Sequence, residues 1–336
     1  MHHNRTRRLP RRALLGLGFA AGLSTLSGCA SSPTIDGANR VPPPSVPPPP
    51  PLEGLDAGIA AESQALAWCD AIGDKGYKLP AGLSANLPLI TEVHRRHLLA
   101  LQLPDPSTRP SGTPSAGLDP QAGSVDLGSD DVQRATSRMI KALGDVSASH
   151  REAAVAGTGS AARFWASLAA AAAQSARIVP RTKAMPALAD EPAHAAVEVP
   201  TEPEALATLL TQLHALVYGC QVALSGVSGE KASEPFVARL SSARLLRDDV
   251  TEALRALRAE VPAAEPAYEV TVPADTGAAR GLVRGLESAL LPHLGAAVSG
   301  VGDGRVRARL VDALTERARV LVDFGARPQW WPGYPS

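Results

Sequence analysis

Four side chains pose the chemical question in this sequence. Glu62, His94, His97 and His150 each fall on the apolar side of a helical repeat, and carboxylate oxygen with imidazole nitrogen is a donor set that suits zinc, iron or copper when it converges. His94 and His97 stand three apart, so one turn of helix presents both on the same face. Glu62 and His150 come from two other helical segments, so a shared site requires three helices aligned in height. Asp70 lies at the edge of the Glu62 face. The competing reading is packing chemistry, in which each imidazole is partly buried and bonded to a neighbour or to water. On that reading no cofactor is expected, and the transition metal is the alternative.

The elements that must position these residues are helices. Apolar residues recur at steps of three and four over 57–73, 87–103, 130–155 and 160–179, and again over 201–224, 235–261, 276–298 and 303–324. The clearest is 201–224, where Thr201 and Glu204 form a capping box around Pro203 and Leu206, Leu209, Leu210, Leu213, Val217, Cys220 and Leu224 make one stripe. Strand-favouring runs are nearly absent, 268–272 being the one short candidate. Each set of four has its longest connection after its second helix, the mark of a crossover in a four-helix bundle. The expected fold is therefore all-α, with two ferritin-like four-helix bundles in tandem at 56–180 and 200–326, a linker at 181–199 and an aromatic tail at 327–336. An offset that places His150 to Gly157 on His293 to Gly300 also places Leu66 on Leu209 and Leu168 on Val311, which suggests duplication.

The N-terminus carries an address. Arg5, Arg7, Arg8, Arg11 and Arg12 precede an apolar stretch at 13–23 and then Leu26-Ser27-Gly28-Cys29. This resembles a bacterial lipoprotein signal at 1–28, which implies export, a lipid on Cys29 and the membrane as partner; Arg11-Arg12 also resembles a twin-arginine signal. Residues 29–55 are rich in Ser and Pro, with an unbroken proline run from Pro47 to Pro51, and read as a semi-rigid tether. Cys69 and Cys220 remain for a disulfide, or each is a small buried hydrophobe. With 33 basic and 33 acidic residues the net charge is zero, so no nucleic-acid partner is indicated.

The segment from Thr201 onward carries Leu213-His214-Ala215-Leu216-Val217-Tyr218-Gly219, then Ala267-Tyr268 ahead of Pro273, Leu286-Glu287 and a closing Trp331-Pro332-Gly333-Tyr334-Pro335. These motifs resemble an uncharacterised ferritin-like family of secreted actinobacterial proteins. The resemblance implies a helical bundle and no assigned reaction. Ferritin-like metal sites use Glu-x-x-His on helices, yet the one such match here, Glu191 to His194, lies in the linker. In the second bundle His293 falls on an inner face and His214 at an edge, Glu204 serves as a cap, Arg317 faces inward, and no acidic residue falls squarely inside. Phosphate loops and nucleophile elbows are absent. The expected function is a lipid-anchored, non-catalytic binding or scaffold module at the cell envelope with an envelope protein partner. The alternative is a metal-binding protein or oxidase built on the first bundle. The tail with Trp330, Trp331 and Tyr334 is expected either as a sticky patch or as a plug for the end of its own bundle.

Overall fold

Asp131, Asp275 and Asp303 each begin a helix by accepting a backbone N–H of its first turn, from Arg134, from Ala278, and from Arg305 and Val306. Glu204 accepts from both the backbone N–H and the hydroxyl of Thr201, at 3.2 and 2.7 Å. The computed structural model describes residues 52–103, 105–107, 123–190 and 198–335. The signal, Cys29, most of the tether, Glu191 and His194 lie outside the described residues. Eight helices follow one another: α1 (Leu55–Asp74), α2 (Ala81–Leu101), α3 (Val132–Ala156), α4 (Gly159–Ile178), α5 (Glu202–Ser225), α6 (Glu230–Ala256), α7 (Thr276–Gly300) and α8 (Gly304–Asp323). There is no strand among the described residues, so 268–272 is irregular.

Two helices depart from the periodicity at their ends. α2 starts six residues before 87 and runs through Pro88, and its second turn is held from outside. The Asn86 amide donates to the Lys183 carbonyl at 3.1 Å, and its Oδ1 accepts the Met185 N–H at 2.7 Å. α6 likewise starts ahead of Pro235, and it stops at Ala256 rather than 261. There Arg258 turns left-handed at φ 55° and the Ala259 N–H closes on the Leu254 carbonyl at 3.0 Å.

In the first set α1 packs on α2 and α3, while α4 packs on α3 and α2. In the second, α5 packs on α6 and α7, and α7 on α8. The sets are not held apart by their linker: α4 lies against α7 and α8, and α3 against α8. That role explains the composition of α4, where every residue from Ala162 to Ser175 is buried. A helix apolar all round belongs in a core, and its alanines let neighbours approach on several sides. α5 is long and apolar enough to cross a membrane, but Leu206, Leu209, Leu210 and Leu213 are fully buried in the second core. Leu66, Leu209, Leu168 and Val311, the residues paired by the sequence offset, are all buried.

The tail does not plug its own set alone. Trp331 and Tyr334 are buried in a core shared with Phe164, Trp165 and Leu168 of α4. Its backbone lies directly on α7, where a Cβ at Gly295 would stand 2.0 Å from the Gly333 carbonyl oxygen. Arg163 of α4 donates to that same carbonyl from Nε and Nη2, at 3.0 and 2.6 Å.

A candidate metal centre in the first four helices

Glu62 sits on the stripe of α1 that also buries Leu66 and Cys69. His94 and His97, one turn apart on α2, and His150, near the end of α3, face it. All four side chains are at most 1% exposed. His94 Nδ1 lies 2.7 Å from Glu62 Oε2, while His97 Nδ1 and His150 Nε2 lie 3.3 and 2.9 Å from Oε1. The structure thus brings together the four residues singled out by the periodicity. Asp70 is not part of the group.

Burial raises the Glu62 carboxyl pKa, but the charges of His94 and His97 and the hydrogen bonds of His150 and His94 together outweigh it. They hold the group well below the usual carboxylate range. No lysine or arginine is paired with Glu62 among the described residues, so the compensating positive charge must reside within the cluster. His97 adds a constraint. Its Nε2 lies 2.9 Å from the Trp330 carbonyl, and a carbonyl only accepts, so Nε2 carries the proton. The Nδ1 that faces Glu62 is then either protonated as well or a lone pair that needs a cation between it and the carboxylate.

One imidazolium would balance one carboxylate. The other imidazoles bring polar atoms into an apolar core, and two of these have no protein partner: His94 Nε2 and His150 Nδ1. A buried polar atom left unpaired costs about 1–3 kcal/mol. One ligand atom each from Glu62, His94 and His97 all lie within 4.8 Å of one another. Ligands on one zinc-like ion, bonded at about 2.0–2.2 Å, stand at most about 4.4 Å apart, so small rotamer changes close the set. The residues fit a metal ion. Aromatic rings wall the site: His97 tilts against Trp331 at 4.6 Å, and His150 stacks on Trp165 at 5.5 Å. α1 comes this close to Trp165 because Gly58 has no Cβ, which would lie 2.3 Å from the indole.

A cleft of about 590 Å³ opens beside this wall. His150 and Trp165 line it, together with small residues of α1 and α3 and with Glu53 and Glu152, which are both exposed.

The second set holds no such cluster among the described residues. His214 Nε2 donates to the Pro262 carbonyl at 3.3 Å. His293 is half-buried, its pKa lowered by burial and by the nearby Arg163 charge. A buried acid is nonetheless present: Glu287 is fully buried and bonded to Arg317 at 2.5 Å. This corrects the expectation of no acid inside. The signal for it was Arg317, whose place on an inner face demands a counter-charge. The Trp330 carbonyl and Arg163 had no signal of type or spacing.

The disulfide weighed for Cys69 and Cys220 is not formed. Both are free buried thiols, Cys69 in the core of the first set and Cys220 in that of the second. Burial pushes each up to about 12.

Residues 205–336 match the family described as "Domain of unknown function (DUF4439)". The matched stretch takes in most of α5, then α6 to α8 and the tail, so Glu62, His94, His97 and His150 lie outside it while Trp330 and Trp331 lie within it. Neither a curated protein nor a solved structure matches the chain.

Proposed function

We propose that the protein is a metal-binding module that holds one divalent transition metal between Glu62, His94 and His97, with His150 as the fourth partner of the carboxylate. The observation that carries this reading is one buried carboxylate bonded to three imidazoles and, among the described residues, to no lysine or arginine. That is more nitrogen than charge balance needs, and a metal ion uses the lone pairs that a proton leaves idle. The Trp330 carbonyl on His97 Nε2 supports it too, because metal-bound imidazoles commonly donate their second N–H to a carbonyl. With oxygen and nitrogen donors and no thiolate in the group, zinc, iron and copper suit the site. The two sets of four helices, each with its long connection after the second helix, support a ferritin-like arrangement in tandem.

The test is metal analysis of the full chain, purified in detergent without chelator and then titrated with Co²⁺, whose visible absorption reports imidazole and carboxylate ligands. One ion per chain, lost in Glu62→Ala and in His94→Ala with folding retained by circular dichroism, is the expected result. A folded protein that takes up no Co²⁺, Zn²⁺ or Fe²⁺ stoichiometrically sinks the proposal and leaves the packing and scaffold reading.

We also propose that the module works at the outer face of the cytoplasmic membrane, exported by a twin-arginine or general signal and anchored through Cys29. The ordered basic, apolar and Leu26-Ser27-Gly28-Cys29 parts support this. Cys29→Ser should move the protein from the membrane to the soluble fraction, and retention there would refute the lipid anchor.

A further inference from the structure

Glu62, His94 and His97 have no exposed side-chain surface, so an ion can reach them only along a path through the protein. The grooves beside Trp68 and beside Pro180 include none of the four site residues. The cleft of about 590 Å³ does: its wall contains His150, which is 1% exposed. One ring nitrogen of His150 bonds Glu62 Oε1 at 2.9 Å and the other, Nδ1, is buried without a protein partner. The lining of the cleft also includes Glu53 and Glu152, both exposed and neither salt-bridged to a lysine or arginine among the described residues. The cleft thus brings exposed acidic residues together with a histidine that bonds the carboxylate of the site.

We infer that this cleft is the port through which a divalent cation reaches Glu62, with His150 as its inner door; the inference rests on the metal-binding reading. The carboxylates raise the local cation concentration at the mouth. His150 both lines the cleft and bonds Glu62, so turning its imidazole on its own side-chain bonds would break that bond and open the way inward. The small side chains around the cleft, Ala57 and Ala156 among them, leave room for a partly hydrated ion.

A port controls rates and leaves equilibrium untouched, which separates its test from that of the site. The full chain in detergent is mixed with Co²⁺ and the visible absorption followed in time, for wild type, Ala57→Trp, Ala156→Trp and Glu152→Gln. Ala57 and Ala156 are exposed, so both tryptophans can be accommodated without opening the core. Filling the cleft should slow both loading and chelator-driven release by at least about tenfold at unchanged affinity, and Glu152→Gln should slow loading only at low ionic strength, where the Debye length is about 30 Å at 0.01 M. Loading at the wild-type rate in both tryptophan variants overturns the port while the metal site stands. No Co²⁺ bound by wild type at equilibrium overturns the site and the port with it.

Discussion

His97 donates from Nε2 to the backbone carbonyl of Trp330 at 2.9 Å, across 233 positions of sequence. The bond ties the last residues of the chain to a cluster made by α1, α2 and α3, and the indole of Trp331 lies against the same imidazole at 4.6 Å. The part of the chain with a family match therefore packs over a cluster that lies outside the match.

The tail should be both a stabilising element and an orienting one. Trp331 is 2% exposed, and removing a buried aromatic costs about 3–5 kcal/mol. Trp331→Ala should lower the urea midpoint accordingly. A chain ending at Gln329 should in addition bind Co²⁺ roughly 10–100-fold more weakly, as expected when a ligand's supporting partner is lost. Unchanged stability in Trp331→Ala would contradict the burial of the tail, and unchanged Co²⁺ affinity in the shortened chain would contradict the role of the Trp330 carbonyl.

The Glu287–Arg317 pair tests how the second core tolerates charge. Both side chains are 1% exposed, and Glu287 Oε1 and Arg317 Nε have no partner. Glu287→Leu alone strands a buried guanidinium and should cost about 3–5 kcal/mol, while Glu287→Leu with Arg317→Met should recover most of that loss. Chemical denaturation of the two single variants and the double gives the coupling. Additive losses would show that the pair does not act as a unit.

Alkaline pH should unfold the protein through its buried acids. Cys69, Cys220 and Tyr334 are all pushed up to about 12 by burial. An unfolded thiol ionises near 8.5, so above that pH the unfolded state loses a proton that the folded state keeps. Stability contributed by each thiol is whole below about 8.5 and falls by about 1.4 kcal/mol per pH unit until the folded value is reached. Urea midpoints should drop steeply between about pH 8 and about pH 10, and less steeply in Cys220→Ala. The same thiols should resist alkylation in the native state and react once denatured. Rapid labelling of native protein would refute their burial.

The all-helical class and the location of most helices were legible because they depend on short-range facts. Apolar residues three and four apart must share a face, and Asp131, Asp275 and Asp303 can cap only the turn that follows them. The four candidate ligands were legible for the same reason: an imidazole on an apolar face goes where that face goes. Glu287 was missed because its partner lies 30 positions away on another helix, where spacing carries no information. The hold on Asn86 in α2 was missed because its bonds come from the 183–185 segment.

By itself, then, the sequence determined which residues face inward on each helix, since periodicity along one helix is a local property. Only the tertiary structure decided that Glu62, His94, His97 and His150 meet at one height, that α4 is buried on every side, and that the tail crosses to His97. Those outcomes depend on how far each helix slides along its neighbours and where a distant carbonyl comes to rest. Such quantities are set by the packing of many side chains at once, and no spacing within a segment encodes them.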